Sequence, residues 1–151
     1  MRPKKVILCF NSDKQELSAV KYTLWISGYK VLEADNAQEA LAAFATAPVI
    51  DLALVDDCAR RVRGELSGSE LIVRLKRMAP HVPMILVVES LNVSDEWDKA
   101  KAIGPDATLT KYQCRSVELL ERIRVMCARK RGPRKGAQRV NTEVQIGVAC
   151  S

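Results

Sequence analysis

Asp51-Leu-Ala-Leu-Val-Asp56-Asp57 sets four apolar residues between carboxylates. A run with no polar residue for a solvent side is what a strand buried on both faces requires, as in a parallel sheet covered by helices. The acids at its far end then stand at the carboxyl edge of a strand, where open α/β sheets gather functional groups.

The pattern extends outward in both directions. Upstream, Val6-Ile-Leu-Cys-Phe10 is a continuous apolar run, and Asn11-Ser-Asp13 behind it can cap a helix. Leu17, Val20 and Leu24, with Trp25 beside them, recur at helical spacing, and Gly28 closes that helix. Tyr29-Lys-Val-Leu-Glu33 predicts a short second strand. Asn36-Ala-Gln-Glu39 has capping-box spacing and opens a helix over Ala37–Thr46, with Ala40, Leu41 and Phe44 on one face. Downstream, residues 58–67 are polar and basic and read as a loop. Gly68–Met78 is helical, with Leu71, Leu75 and Met78 in phase, and Pro83–Val88 is a fourth strand. Residues 94–103 form an amphipathic helix carrying Trp97, Ala100 and Ile103, stopped by Gly104-Pro105. Ala107–Thr110 is a short fifth strand, and residues 116–128 form the last helix, with Val117, Leu120, Ile123 and Cys127 in phase. Strict alternation of this kind predicts an α/β fold, a doubly wound five-stranded parallel sheet with helices on both faces.

Composition bounds the function. With 151 residues, 48% apolar and 28% charged, the chain suits one globular domain with a core. No apolar run approaches the ~20 residues of a bilayer span. Val6–Phe10 is too short for the core of a signal peptide, so a cytoplasmic protein without membrane contact is expected. Cys9, Cys58, Cys114, Cys127 and Cys150 show no C-x-x-C spacing, and His81 is the one histidine. Disulfide frameworks, zinc sites and histidine-based catalysis are disfavoured. Most of the net charge of +6 resides at the end of the chain. Residues 129–151 hold six bases (Arg129, Lys130, Arg131, Arg134, Lys135, Arg139) against Glu143, which leaves 18 basic and 17 acidic residues in 1–128. We divide the chain into a domain over 1–128 and a basic, flexible tail over 129–151.

At this point the sequence resembles the receiver domains of response regulators, the CheY-like family, over about residues 4–128. The resemblance is carried by Asp51-Leu-Ala-Leu-Val-Asp56, Gly68-Ser-Glu-Leu71, Pro80-His-Val-Pro-Met-Ile-Leu86, Gly104-Pro-Asp-Ala-Thr-Leu-Thr-Lys111 and Glu118-Leu-Leu-Glu-Arg-Ile123, in order and at compatible spacing. It implies strand order 2-1-3-4-5 and a phosphoacceptor aspartate, matched by Asp56. It also implies a phosphate-sensing lysine, matched by Lys111, whose ammonium suits pairing with a phosphoryl group. A histidine kinase or another signalling protein would be the partner, and a second copy of the chain is a further candidate. The docking surface would lie at about residues 94–126.

The chain departs from the family's pattern around the acceptor. The two acids that hold a magnesium ion fall on Asn11 and Ser12, leaving Asp13 and Asp56 as candidate ligands, and hard-cation affinity follows carboxylate count. The switch hydroxyl at the end of strand four falls on Val88, with Ser90 nearby. Tyr112 stands where a proline usually follows the lysine, so the tight turn of a cis proline is not guaranteed. The loop after Asp57 is longer than usual and carries Arg60, Arg61 and Arg63, which suit a phosphate, an acidic partner or plain solvent.

Three function classes follow. The first is a stand-alone receiver in a two-component phosphorelay, phosphorylated on Asp56 and acting by docking. The second is a pseudo-receiver scaffold that never takes phosphate, supported by Asn11, Ser12, Val88 and Tyr112. The third, a nucleic-acid-binding accessory protein, rests on the basic tail and the arginine loop, and the tail lacks aromatic interleaving for base stacking. An enzyme is disfavoured: the chain has no G-x-G-x-x-G, no P-loop and no nucleophile–base pair. Asp13 reads more simply as a helix cap than as a cation ligand, and Trp25 and Trp97 as helix residues rather than a ligand cage.

Overall fold

The computed structural model describes residues 3–57, 66–89, 105–115 and 117–128. The arginine loop, Ser90, the helix expected over 94–103 and the basic tail lie outside the described residues. Five strands, β1 (Val6–Phe10), β2 (Lys30–Ala34), β3 (Leu52–Asp56), β4 (Met84–Val88) and β5 (Ala107–Thr110), form one sheet in the order β2-β1-β3-β4-β5. Every pairing is parallel. The helices are α1 (Lys14–Ile26), α2 (Ala37–Thr46), α3 (Gly68–Met78), α4 (Lys111–Cys114) and α5 (Val117–Ala128).

The strands read as unbroken apolar runs because alternate residues serve two cores. Leu8, Phe10, Ala53, Val55, Leu86 and Val88 pack with Phe44 of α2 and Leu71, Ile72 and Leu75 of α3. Ile7, Cys9, Leu52, Leu54, Ile85 and Val87 pack on the other face with Leu17 and Leu24 of α1 and Leu119, Ile123 and Met126 of α5. No residue of β3 has a solvent side to keep polar.

Some expected helix faces are rotated. Trp25 is 59% exposed and lies against Tyr22, because the stripe Leu17-Val20-Leu24 already fills the α1 contact with the sheet. Met78 is exposed at the end of α3. In α5 the buried face is Leu119, Ile123, Met126 and Cys127, and Val117 is exposed. The apolar residues there fit two phases, and packing against the sheet, β3 in particular, selects the one shifted from our expectation. Gly28 follows α1 with φ +96°, the left-handed conformation that glycine adopts without a Cβ penalty. Among the described residues, no helix is long and apolar enough to cross a membrane.

Candidate functional site

The carboxyl ends of β1, β3 and β5 bring together Asn11, Asp56 and Lys111, which are separated by 45 and 55 positions in the chain. Asp56 is the last residue of β3 and only 4% exposed. The next residue is tied to α3: Ser69 donates to the Asp57 side chain, at Oδ1, from its backbone N–H at 2.9 Å and from its hydroxyl at 2.7 Å. Gly68 is needed there, since a Cβ would lie 2.1 Å from the Asp56 carbonyl oxygen.

Asn11 joins the acids of the site. Its Oδ1 accepts the Asp13 N–H at 2.8 Å. Its Nδ2 donates to Glu16 Oε1 at 3.0 Å and, more loosely, to Asp56 Oδ2 at 3.4 Å. A carboxylate in this position could not donate to two others. Asn11 is thus fitted to its neighbours as an amide.

Glu16 is the residue our sequence reading missed. Lys111 Nζ lies 3.0 Å from Glu16 Oε1 and 3.4 Å from Oε2, 3.7 Å from Asp56 Oδ2 and 4.0 Å from Glu89 Oε2. An Asp56–Lys111 ion pair is present, yet Glu16 holds the lysine more closely. The hydrogen bond from Asn11, joined by that from Lys111 and its charge, outweighs burial and holds the Glu16 carboxyl below its ordinary value. Burial alone would lower Lys111; its hydrogen bond to Glu16 and the charges of Asp56, Glu16 and Glu89 prevail and raise it. A signal for Glu16 existed in the spacing Asp13-Lys-Gln-Glu16, which places an acid in the first helical turn.

Asp13 is the N-cap of α1, accepting from the N–H groups of Gln15 at 2.9 Å and Glu16 at 3.2 Å. Asp13→Ala should therefore cost about 1 kcal/mol in urea unfolding, equally with and without magnesium. A loss seen only with magnesium would return Asp13 to the role of ligand. Ser12 is exposed beside it.

Val88 ends β4 with its side chain in the core, so no hydroxyl stands at that position. Lys111 opens α4, a single turn capped by Thr110, whose hydroxyl accepts from the Gln113 N–H while Gln113 returns a bond to the Thr110 N–H. This capping box supplies the turn in which Tyr112 stands 81% exposed. Among the described residues no peptide bond is cis.

A cavity of about 110 Å³ is lined by Leu17, Leu54, Val87 and Cys114 together with Asp56 and Lys111 of the polar cluster. Burial, with the charges of Asp56 and Glu16, pushes the Cys114 thiol up to about 12, so it stays protonated at neutral pH and is a poor nucleophile.

A magnesium ion fits this arrangement poorly. Asn11 turns a donor towards Asp56, Asp13 is spent on its helix, and Asp57 accepts from Ser69. Magnesium demands near-octahedral oxygen ligands. Among the described residues no group of three His, Cys, Asp or Glu could hold a metal ion.

No protein-family model and no curated protein matches the sequence. Solved structures do. A CheY-like response regulator receiver domain protein from Methanospirillum hungatei is 27% identical, covering 83% of this chain and 94% of its own, with a TM-score of 0.71. A response regulator receiver domain protein from Clostridium thermocellum is 24% identical over 82% of this chain and 94% of that one, TM-score 0.69. A response regulator from Thermotoga maritima is 23% identical over 84% of this chain and 100% of that one, TM-score 0.68. The chain has the CheY-like receiver fold.

Proposed function

We propose that this receiver-fold chain is a phosphorelay signalling module that accepts a phosphoryl group on Asp56 and acts by docking to a partner protein. The observation that carries the reading is the buried Asp56 carboxylate at the end of β3 with the Lys111 ammonium 3.7 Å from its Oδ2. The fold it shares with response regulators supports the signalling role. In the step itself, an Asp56 carboxylate oxygen attacks phosphorus, the bond from phosphorus to the donor atom breaks (an imidazole nitrogen in a phosphohistidine, an oxygen in acetyl phosphate), and the donor leaves with that electron pair. The product is an acyl phosphate carrying about −2 charge, which Lys111 offsets. The chain turns nothing over in this role, and a histidine kinase would supply the phosphoryl group.

A second reading is favoured by the Asn11 amide, which sets a donor between two carboxylates where a cation would need acceptors. On that reading the chain is a constitutive docking module. Contact with nucleic acid would fall to the basic tail, and nothing among the described residues favours it. Intact-mass analysis after incubation with acetyl phosphate, with and without magnesium, separates the first two. A single phosphate adduct on the wild type and none on Asp56→Asn is the expected result. No adduct on a folded wild type, beside a receiver that is phosphorylated in parallel, would select the constitutive module.

A further inference from the structure

Resting on the receiver reading of this site, we infer that Glu16 is its positioning residue: it holds Lys111 at rest, and Lys111 must leave it to serve a modified Asp56. The distances set the order of preference, with Nζ 3.0 Å from Glu16 Oε1 and 3.7 Å from Asp56 Oδ2. The first is a charge-assisted hydrogen bond; the second is an ion pair beyond hydrogen-bond reach.

Glu16 is itself pinned. Its Oε1 accepts from Asn11 Nδ2 as well as from Lys111, and its backbone N–H is tied to the Asp13 cap. Its side chain and that of Lys111 are 30% and 23% exposed, so the pair is only partly screened by solvent.

A phosphoryl group on Asp56 changes the competition. It brings about two negative charges and three acceptor oxygens against the single charge of Glu16. Lys111 needs only a short displacement to exchange one partner for the other. Glu16 would then keep Asn11 and lose its cation, so the change is delivered to the first turn of α1. That route does not need a hydroxyl at the end of β4, where Val88 has none. In the unmodified protein the same bond is an obstacle, because it keeps the ammonium away from Asp56, where the incoming phosphoryl group must be met.

The test begins without any phosphate. The Lys111 ammonium is followed by nuclear magnetic resonance in the full chain labelled at lysine, comparing wild type with Glu16→Gln, Glu16→Asp and Asp56→Asn. Glu16→Asp keeps an acid in the first turn of α1 but withdraws it by one methylene, so a purely helix-stabilising Glu16 would leave Lys111 unmoved. Both Glu16 variants should speed exchange of the ammonium protons on the order of tenfold, the effect of one lost charge-assisted hydrogen bond. Asp56→Asn should change it less than twofold. The reverse pattern overturns the inference. The second arm measures the rate of adduct formation with acetyl phosphate. Glu16→Gln should take phosphate on the order of tenfold faster than a wild type that forms the adduct, and an equal rate overturns the inference. Should no variant form an adduct, the phosphoacceptor reading falls while the first arm still decides which carboxylate holds Lys111.

Discussion

Gly68→Ala is expected to destabilise the protein by about 3 kcal/mol, the upper end of what overpacking costs. The sign is informative, since alanine is otherwise the better residue in a helix by about 1 kcal/mol. The added Cβ would meet the Asp56 carbonyl oxygen at 2.1 Å, and the Asp56 carbonyl carbon and Asp57 Cα at 2.7 Å. All three are backbone atoms at the end of a central strand, so no side chain can swing aside. Either α3 lifts off the sheet or the end of β3 moves. Lifting α3 strains both hydrogen bonds from Ser69 to Asp57. Moving β3 disturbs the Asp57 N–H bond to the Val87 carbonyl, 2.8 Å long, and displaces Asp56 from Asn11 and Lys111. Urea unfolding gives the stability, and adduct formation with acetyl phosphate reports on Asp56. A change within 0.5 kcal/mol would mean that α3 does not abut the strand as described.

The same residues show where sequence reasoning succeeds. Two-sided burial makes β1, β3 and β4 unmistakable, because Ile7 and Leu8, or Leu54 and Val55, must both be apolar to face opposite cores. Strand ends then place Asn11, Asp56 and Lys111 together with no knowledge of side-chain contacts. The Asn36 cap was equally legible, since its side chain accepts from the Glu39 N–H three residues on. What escaped was information that periodicity does not carry. Glu16 and Lys111 are 95 residues apart, and no local pattern announces their pairing. The spacing from Asp13 places Glu16 in the first turn of α1, whereas its carboxylate reaches across to Asn11 and Lys111. The turn of α4 was missed for a different reason. Its signature, Thr110-Lys-Tyr-Gln113, was in view, but a four-residue helix is too short to show an apolar face. In α5 the composition allowed two faces, and only the sheet decides between them.

Replacing Lys111 with methionine should cost about 2 kcal/mol at pH 7. Removing one partner of a fully buried ion pair costs roughly 3–5 kcal/mol, and the partial exposure of Lys111 and Glu16 reduces that figure. The loss arises because Asp56 and Glu16 remain, bridged by the Asn11 amide, without the ammonium that faces both. Its pH dependence follows from the shifts in the wild type. Glu16 is held below its ordinary value, so its stabilising contribution is present above about pH 4.3 and is lost as pH falls through the lowered value. Lys111 is raised, so its contribution is complete below about pH 10.4 and is lost only as pH rises through the raised value. Between these limits the gap between wild type and Lys111→Met should be constant. It should close as the pH falls through the lowered Glu16 value, where the wild type loses its pair. Adding Glu16→Gln to Lys111→Met should restore part of the loss at pH 7, because a neutral amide no longer faces Asp56 with like charge. Urea midpoints from pH 3 to 8 for the single and double variants measure all of this. A gap that persists unchanged at pH 3 would show that Lys111 stabilises the domain through its methylene packing and not through its charge.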